Sequence, residues 1–175
     1  RIRDIAGAVH AAGALLYMDG ANFNALMGLA RPADFGVDIL HLNLHKSFST
    51  PHGGGGPGAG PVGVTAELEP FLPLPRIVEQ NGRYAVTSSG RNRIGRMRTF
   101  LGNVGVLIRA YAYLRSHSAA SLRAIAEHAI LNANYVRTRL QELYPAATGG
   151  PCLHECVLQT DPGRLNGVKT LDVAK

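Results

Sequence analysis

No apolar run in this sequence approaches the roughly 18 residues of a membrane-crossing helix, and no signal-peptide pattern opens it. Cysteine is nearly missing. Cys152 and Cys156, four positions apart, make no disulfide framework and lack further cysteines to complete a zinc site. They read as reduced, buried thiols of a cytoplasmic protein. Nothing repeats at a fixed period. A phosphate-binding G-x-x-x-x-G-K-[ST] loop is also missing: Lys46-Ser47 precedes its glycines, and residues 40–45 contain none. The net charge of +6 and pI near 9.7 permit an anionic cofactor or an acidic partner. Much of the basic charge sits in residues 91–98, with only Tyr84 and Phe100 nearby as stacking aromatics, so nucleic acid is not expected as a partner.

At 175 residues the chain is long enough for one domain with a real core. It starts at Arg1 without a methionine and ends inside what reads as a starting helix, so we expect a piece of a longer protein. The pattern is α/β. Ile2, Ile5, Ala6 and Val9 recur at helical spacing over residues 2–12, and Gly13 follows as a stop. Residues 14–18 form a continuous apolar run ending at Asp19-Gly20, as in a strand buried on both faces. Residues 21–29 suit one or two helical turns, broken by Arg31-Pro32. In the next strand Leu40, Leu42 and Leu44 alternate with His41, Asn43 and His45. Residues 61–64 read as a third strand, and short strands are expected near Ile77-Val78 and at residues 84–86. Val104, Leu107, Ile108, Tyr111 and Leu114 mark a helix over 101–116. A longer one over 119–143 has Ser118 as N-cap and a stripe through Leu122, Ile125, Ala126, Ala129, Ala133, Val136, Leu140 and Leu143. Residues 152–159 read as a strand, and Thr170 as the cap of a last helix. These shifts place residues 1–145 in one α/β domain with a helical connector and residues 146–175 at the start of a smaller α+β domain.

The chemistry concentrates in residues 41–58. A polar strand face of His41, Asn43 and His45 leads to Lys46, and glycines 53–56 follow, where backbone can approach a ligand closely. Asp19 ends the preceding strand. If the two strands are parallel neighbours, Asp19 and Lys46 share the carboxyl edge of the sheet, where open α/β sheets bind ligands. A lysine that forms an imine with pyridoxal phosphate, beside a carboxylate for the pyridinium nitrogen, is one chemistry that needs this pair. A metal held by His41, His45 and His52 is the alternative.

Residues 17–22 (Tyr-Met-Asp-Gly-Ala-Asn), 31–38 (Arg-Pro-Ala-Asp-Phe-Gly-Val-Asp) and 41–58 closely resemble the glycine decarboxylase P-protein family of the glycine cleavage system. The likeness continues through residues 96–98, 102–111 and 131–135, favours subunit 2 of the two-subunit form, and is weakest over 144–168. It implies an aspartate-aminotransferase-like (fold type I) architecture, with a large α/β domain and a small C-terminal domain. It implies Lys46 as the Schiff-base lysine, Asp19 at the pyridine nitrogen, Ala21 beneath the ring, and His45 as a contact to pyridoxal 5'-phosphate or its phosphate. Ser47 stands where many relatives carry threonine. The implied reaction is glycine decarboxylation with transfer of the aminomethyl group to the lipoyl arm of H-protein. A companion subunit 1 is implied in a heterotetramer of two plus two, in a bacterial or archaeal cytoplasm. The runner-up is another fold-type-I enzyme acting on an amino acid. The ring-stacking residue and phosphate loop of this architecture are expected before Arg1, so the 175-residue piece alone is expected to be inactive.

Overall fold

The computed structural model describes residues 1–53, 58–90, 92, 94–97, 101–161, 163 and 166–175. The order is α1 (Ile2–Ala11), β1 (Tyr17–Gly20), a 3-10 turn (Pro32–Phe35), β2 (Ile39–Leu42), the single-turn α2 (Leu44–Ser47), β3 (Val62–Val64), a second 3-10 turn (Ala66–Phe71), β4 (Arg76–Gln80), β5 (Arg83–Thr87), α3 (Val104–Arg115), α4 (Ala119–Leu140) and α5 (Thr170–Ala174). Residues 1–23 and 30–118 form one compact unit; residues 24–29 with 119–175 form a second.

In the first unit β1 and β2 pair in parallel, and β3 adds antiparallel to β2. The approach to β1 differs from the expected strand over 14–18. The Ala14 N–H donates to the Val9 carbonyl at 3.1 Å and the Leu16 N–H to Asp38 Oδ2 at 2.7 Å, so these donors hold α1 and β2 rather than a ladder. The strand therefore begins at Tyr17, which is 53% exposed and not buried on both faces. Asp38 Oδ2 also lies 2.8 Å from His10 Nε2, tying the end of α1 to the start of β2. The Leu16 N–H first, and His10 second, hold the Asp38 carboxyl below the usual carboxylate range. The 3-10 turn has Pro32 at its first position, where a missing N–H costs nothing, and closes on Gly36 at φ 87°. A Cβ there would sit 2.8 Å from that of Ala6, so glycine lets this turn meet α1.

No helix forms over 21–29; turns follow one another there. The strands expected near 77–78 and 84–86 are β4 and β5, a hairpin closed by Asn81 and Gly82 at φ 53° and 73°. Positive φ at both central residues is the turn that matches strand twist, and Asn-Gly is its preferred sequence. The stripe expected to bury α3 faces outward: Val104, Ile108 and Tyr111 are exposed, while Val106 and Ala110 are buried.

In the second unit α4 buries Ala126 and Ala133 from the expected stripe. Gly28, at φ 71°, lies so close to α4 that a Cβ would meet the Arg123 nitrogen at 2.9 Å. The strand expected over 152–159 is not formed as a ladder. Among the described residues Ala146 and Leu158 form an isolated bridge, and Asn134 holds the start of the segment: its Nδ2 donates to the Cys152 carbonyl at 2.7 Å and its Oδ1 accepts the Cys152 N–H at 3.0 Å. Thr170 does not cap α5. Lys169 is the N-cap, and Asp172 Oδ2 accepts its N–H at 3.0 Å, since a carboxylate at the third helical position reaches back to that donor. Among the described residues no helix is long and apolar enough to cross a membrane.

Candidate functional site

The parallel register of β1 and β2 sets Asp19 opposite His41. Gly20 is required at the end of β1: a Cβ would lie 2.7 Å from the His41 carbonyl oxygen and 2.7 Å from Leu40 Cδ1. Beyond Gly20 the chain turns back on Asp19, whose Oδ1 accepts the Ala21 N–H at 3.0 Å. That bond orients the carboxylate.

Lys46 does not stand on a strand, as the alternation through His45 had suggested. β2 stops at Leu42, and Lys46 lies on the turn α2. The Leu44 N–H donates to the Ala59 carbonyl at 3.2 Å and the Asn43 N–H to the Ala21 carbonyl at 3.3 Å, which carries the registers with β3 and β1 on to residues 43 and 44. The chain bends beyond them, where buried Ser47 accepts the Phe23 N–H on its Oγ at 2.8 Å. Helical winding then turns Lys46 outward, exposed. Ser49 follows at φ 56°, a sparsely populated conformation for a non-glycine residue. Asp19 thus lies near the end of β1, and Lys46 on the turn that follows the parallel neighbour β2.

His45 is half-buried and meets His52 edge-to-face, with ring centroids 4.3 Å apart. Its Nδ1 is buried without a hydrogen-bond partner among the described residues. Burial pushes its pKa down, and the charges of His52 and Lys46 push it further, so the ring is neutral at pH 7. His41 turns away from these two: its Nε2 is 3.1 Å from Asn43 Nδ2. Among the described residues no three His, Cys, Asp or Glu side chains are grouped to hold a metal, which corrects the alternative built on His41, His45 and His52. Glycines 54–56 and Arg91, Arg93 and Arg98 of the basic cluster lie outside the described residues.

The sequence reading missed Gly20, Gly60 and Ser47 as builders of the site. Gly60 packs on His41, where a Cβ would meet Cε1 at 2.7 Å. The one available signal was the hydroxyl shared by serine and threonine at position 47.

No family model matches the sequence. The chain is 53% identical over 175 residues to the probable glycine dehydrogenase (decarboxylating) subunit 2 of Chlorobium chlorochromatii, covering 99% of this chain and 36% of that protein. To the protein of the same description from Desulforamulus reducens it is 51% identical, with the same coverage. Among solved structures, glycine decarboxylase (P-protein) of the glycine cleavage system in inhibitor-bound form superposes with a TM-score of 0.65 at 25% identity, over 82% of this chain and 35% of that one. Parallel strands presenting Asp19 and Lys46 at one edge, with this likeness, make the chain part of a fold-type-I α/β transferase architecture. Within that class it is similar along nearly its whole length to proteins described as glycine dehydrogenase (decarboxylating) subunit 2, and it spans about 36% of the length of these curated relatives.

Proposed function

We propose that the full-length protein carrying this chain binds pyridoxal 5'-phosphate through Lys46 and Asp19, decarboxylates glycine, and passes the aminomethyl group to the lipoyl arm of an H-protein. The observation that carries this reading is the placement of Asp19 near the end of β1 and of Lys46 on the turn that follows the parallel neighbour β2. The donor set fits the cofactor: an exposed primary amine, a carboxylate with one oriented oxygen, and a buried imidazole nitrogen without a partner among the described residues. Pyridoxal phosphate, when bound, supplies an aldehyde for a lysine and a protonated ring that accepts the electron pair released with CO2. Lys46 is the amine that would hold it. The Asp19 carboxylate would accept a hydrogen bond from the ring N–H and keep that nitrogen protonated, while the Ala21 N–H orients the carboxylate and the small Ala21 side chain would leave room beneath the ring. Neutral His45 offers Nδ1 to the cofactor or its phosphate.

Glycine loses CO2, and its methylene carbon bonds to one sulfur of the lipoyl disulfide. The S–S bond breaks and the second sulfur takes a proton. A companion subunit 1 completes a heterotetramer of two plus two in the cytoplasm. Residues 1–145 end the large domain and its connector; residues 146–175 begin the small one. The test is glycine–CO2 exchange by the full-length protein assembled with its companion subunit. Lys46→Ala is expected to abolish exchange and the imine absorbance band; retained exchange would sink the assignment. Exchange with another amino acid in place of glycine would favour a different fold-type-I enzyme.

A further inference from the structure

His41 is used neither by a metal nor by the cofactor contacts above, yet it is the strand partner of Asp19. Paired residues on adjacent strands share a face, with the strands about 4.8 Å apart. The ring is fixed on its other sides. Asn43 Nδ2 stands 3.1 Å from Nε2; an amide nitrogen only donates, so Nε2 is the acceptor of this pair. Gly60 presses on the same ring, where a Cβ would meet Cε1 at 2.7 Å and Nδ1 at 3.4 Å. The circuit then closes on Asp19. The Asn43 N–H donates to the Ala21 carbonyl at 3.3 Å, and the Ala21 N–H donates to Asp19 Oδ1 at 3.0 Å.

We propose that His41 is a positioning residue for Asp19, fixing the orientation of its carboxylate and acting on cofactor affinity only through it. This rests on the cofactor reading above. The test is a double-mutant cycle on the pyridoxal phosphate dissociation constant of the full-length, assembled protein, followed by absorbance titration. His41→Gln is expected to raise the constant about tenfold, the scale of one oriented hydrogen bond. In an Asp19→Asn background the same change is expected to alter it less than about twofold, because the group it acts through is gone. Asn43→Ala, which leaves His41 in place but unanchored, is expected to reproduce part of the rise. Additive effects of His41→Gln and Asp19→Asn, or an unchanged constant in both His41→Gln and Asn43→Ala, would overturn the proposal. Wild-type protein that binds no pyridoxal phosphate would instead overturn the cofactor reading, and this proposal with it.

Discussion

Ser47 reaches back from the turn after β2 to the loop that follows β1, accepting the Phe23 N–H at 2.8 Å. Its side chain is buried, so Ser47→Ala leaves a donor without its partner. We expect a loss of about 1–3 kcal/mol in urea unfolding, against little change for Ser47→Thr. His45 gives a second residue-scale prediction. Burial is the largest cause of its lowered pKa, with His52 next. Its ring should titrate below the ordinary value of about 6.5 in a histidine NMR titration, and His52→Ala should raise that pKa only partway. Asp38 carries the acid dependence of the α1 clasp. Its folded pKa is lowered, so its stabilisation is complete above about pH 5 and is lost as pH falls through the folded value. Asp38→Asn should therefore lower the urea midpoint at pH 7 and leave the acid limb flatter. The end of β1 at Asp19-Gly20 was legible because an apolar run and its stop are local facts, whereas the turn that carries Lys46 was read as strand. Ser47 and Gly60 were not legible, because their partners lie 24 residues away in Phe23 and 19 in His41.

At the scale of elements, regular alternation and turn chemistry read well, and tethers overrode them. The Asn-Gly pair stands between β4 and β5 as hairpin chemistry demands. In contrast, Leu40, Leu42 and Leu44 alternate as a strand, yet the chain winds into the turn α2 from Leu44, where Ser47 is held by the Phe23 N–H. Residues 152–159 carry a strand's alternation too, but Asn134 captures Cys152. The stripe on α3 was read at the right spacing with the wrong side inward, since periodicity gives a face and not the layer that covers it. The close approach of Gly28 to α4 is an element-scale prediction. Gly28→Ala places a Cβ 2.9 Å from the Arg123 nitrogen at φ 71°. We expect a loss of about 1–3 kcal/mol, read as a lower thermal midpoint.

For the whole molecule, the described core is thin. Among the described residues no large side chain is fully buried, and Ile77, Tyr84 and Val86 lie exposed on one hairpin face. Exposed apolar area of this kind marks surfaces that other protein covers. The 175-residue chain expressed alone is expected to bind a hydrophobic dye and to unfold over a broad thermal range, whereas the full-length protein should melt sharply. The central claim is that Lys46 holds the cofactor, and the chain has only two other lysines, Lys169 and Lys175. The direct measurement is borohydride reduction of the full-length protein loaded with pyridoxal phosphate, followed by peptide mass spectrometry. The account predicts the reduced pyridoxyl adduct on Lys46 in stoichiometric yield. An adduct on a different lysine, or none at all, would contradict it.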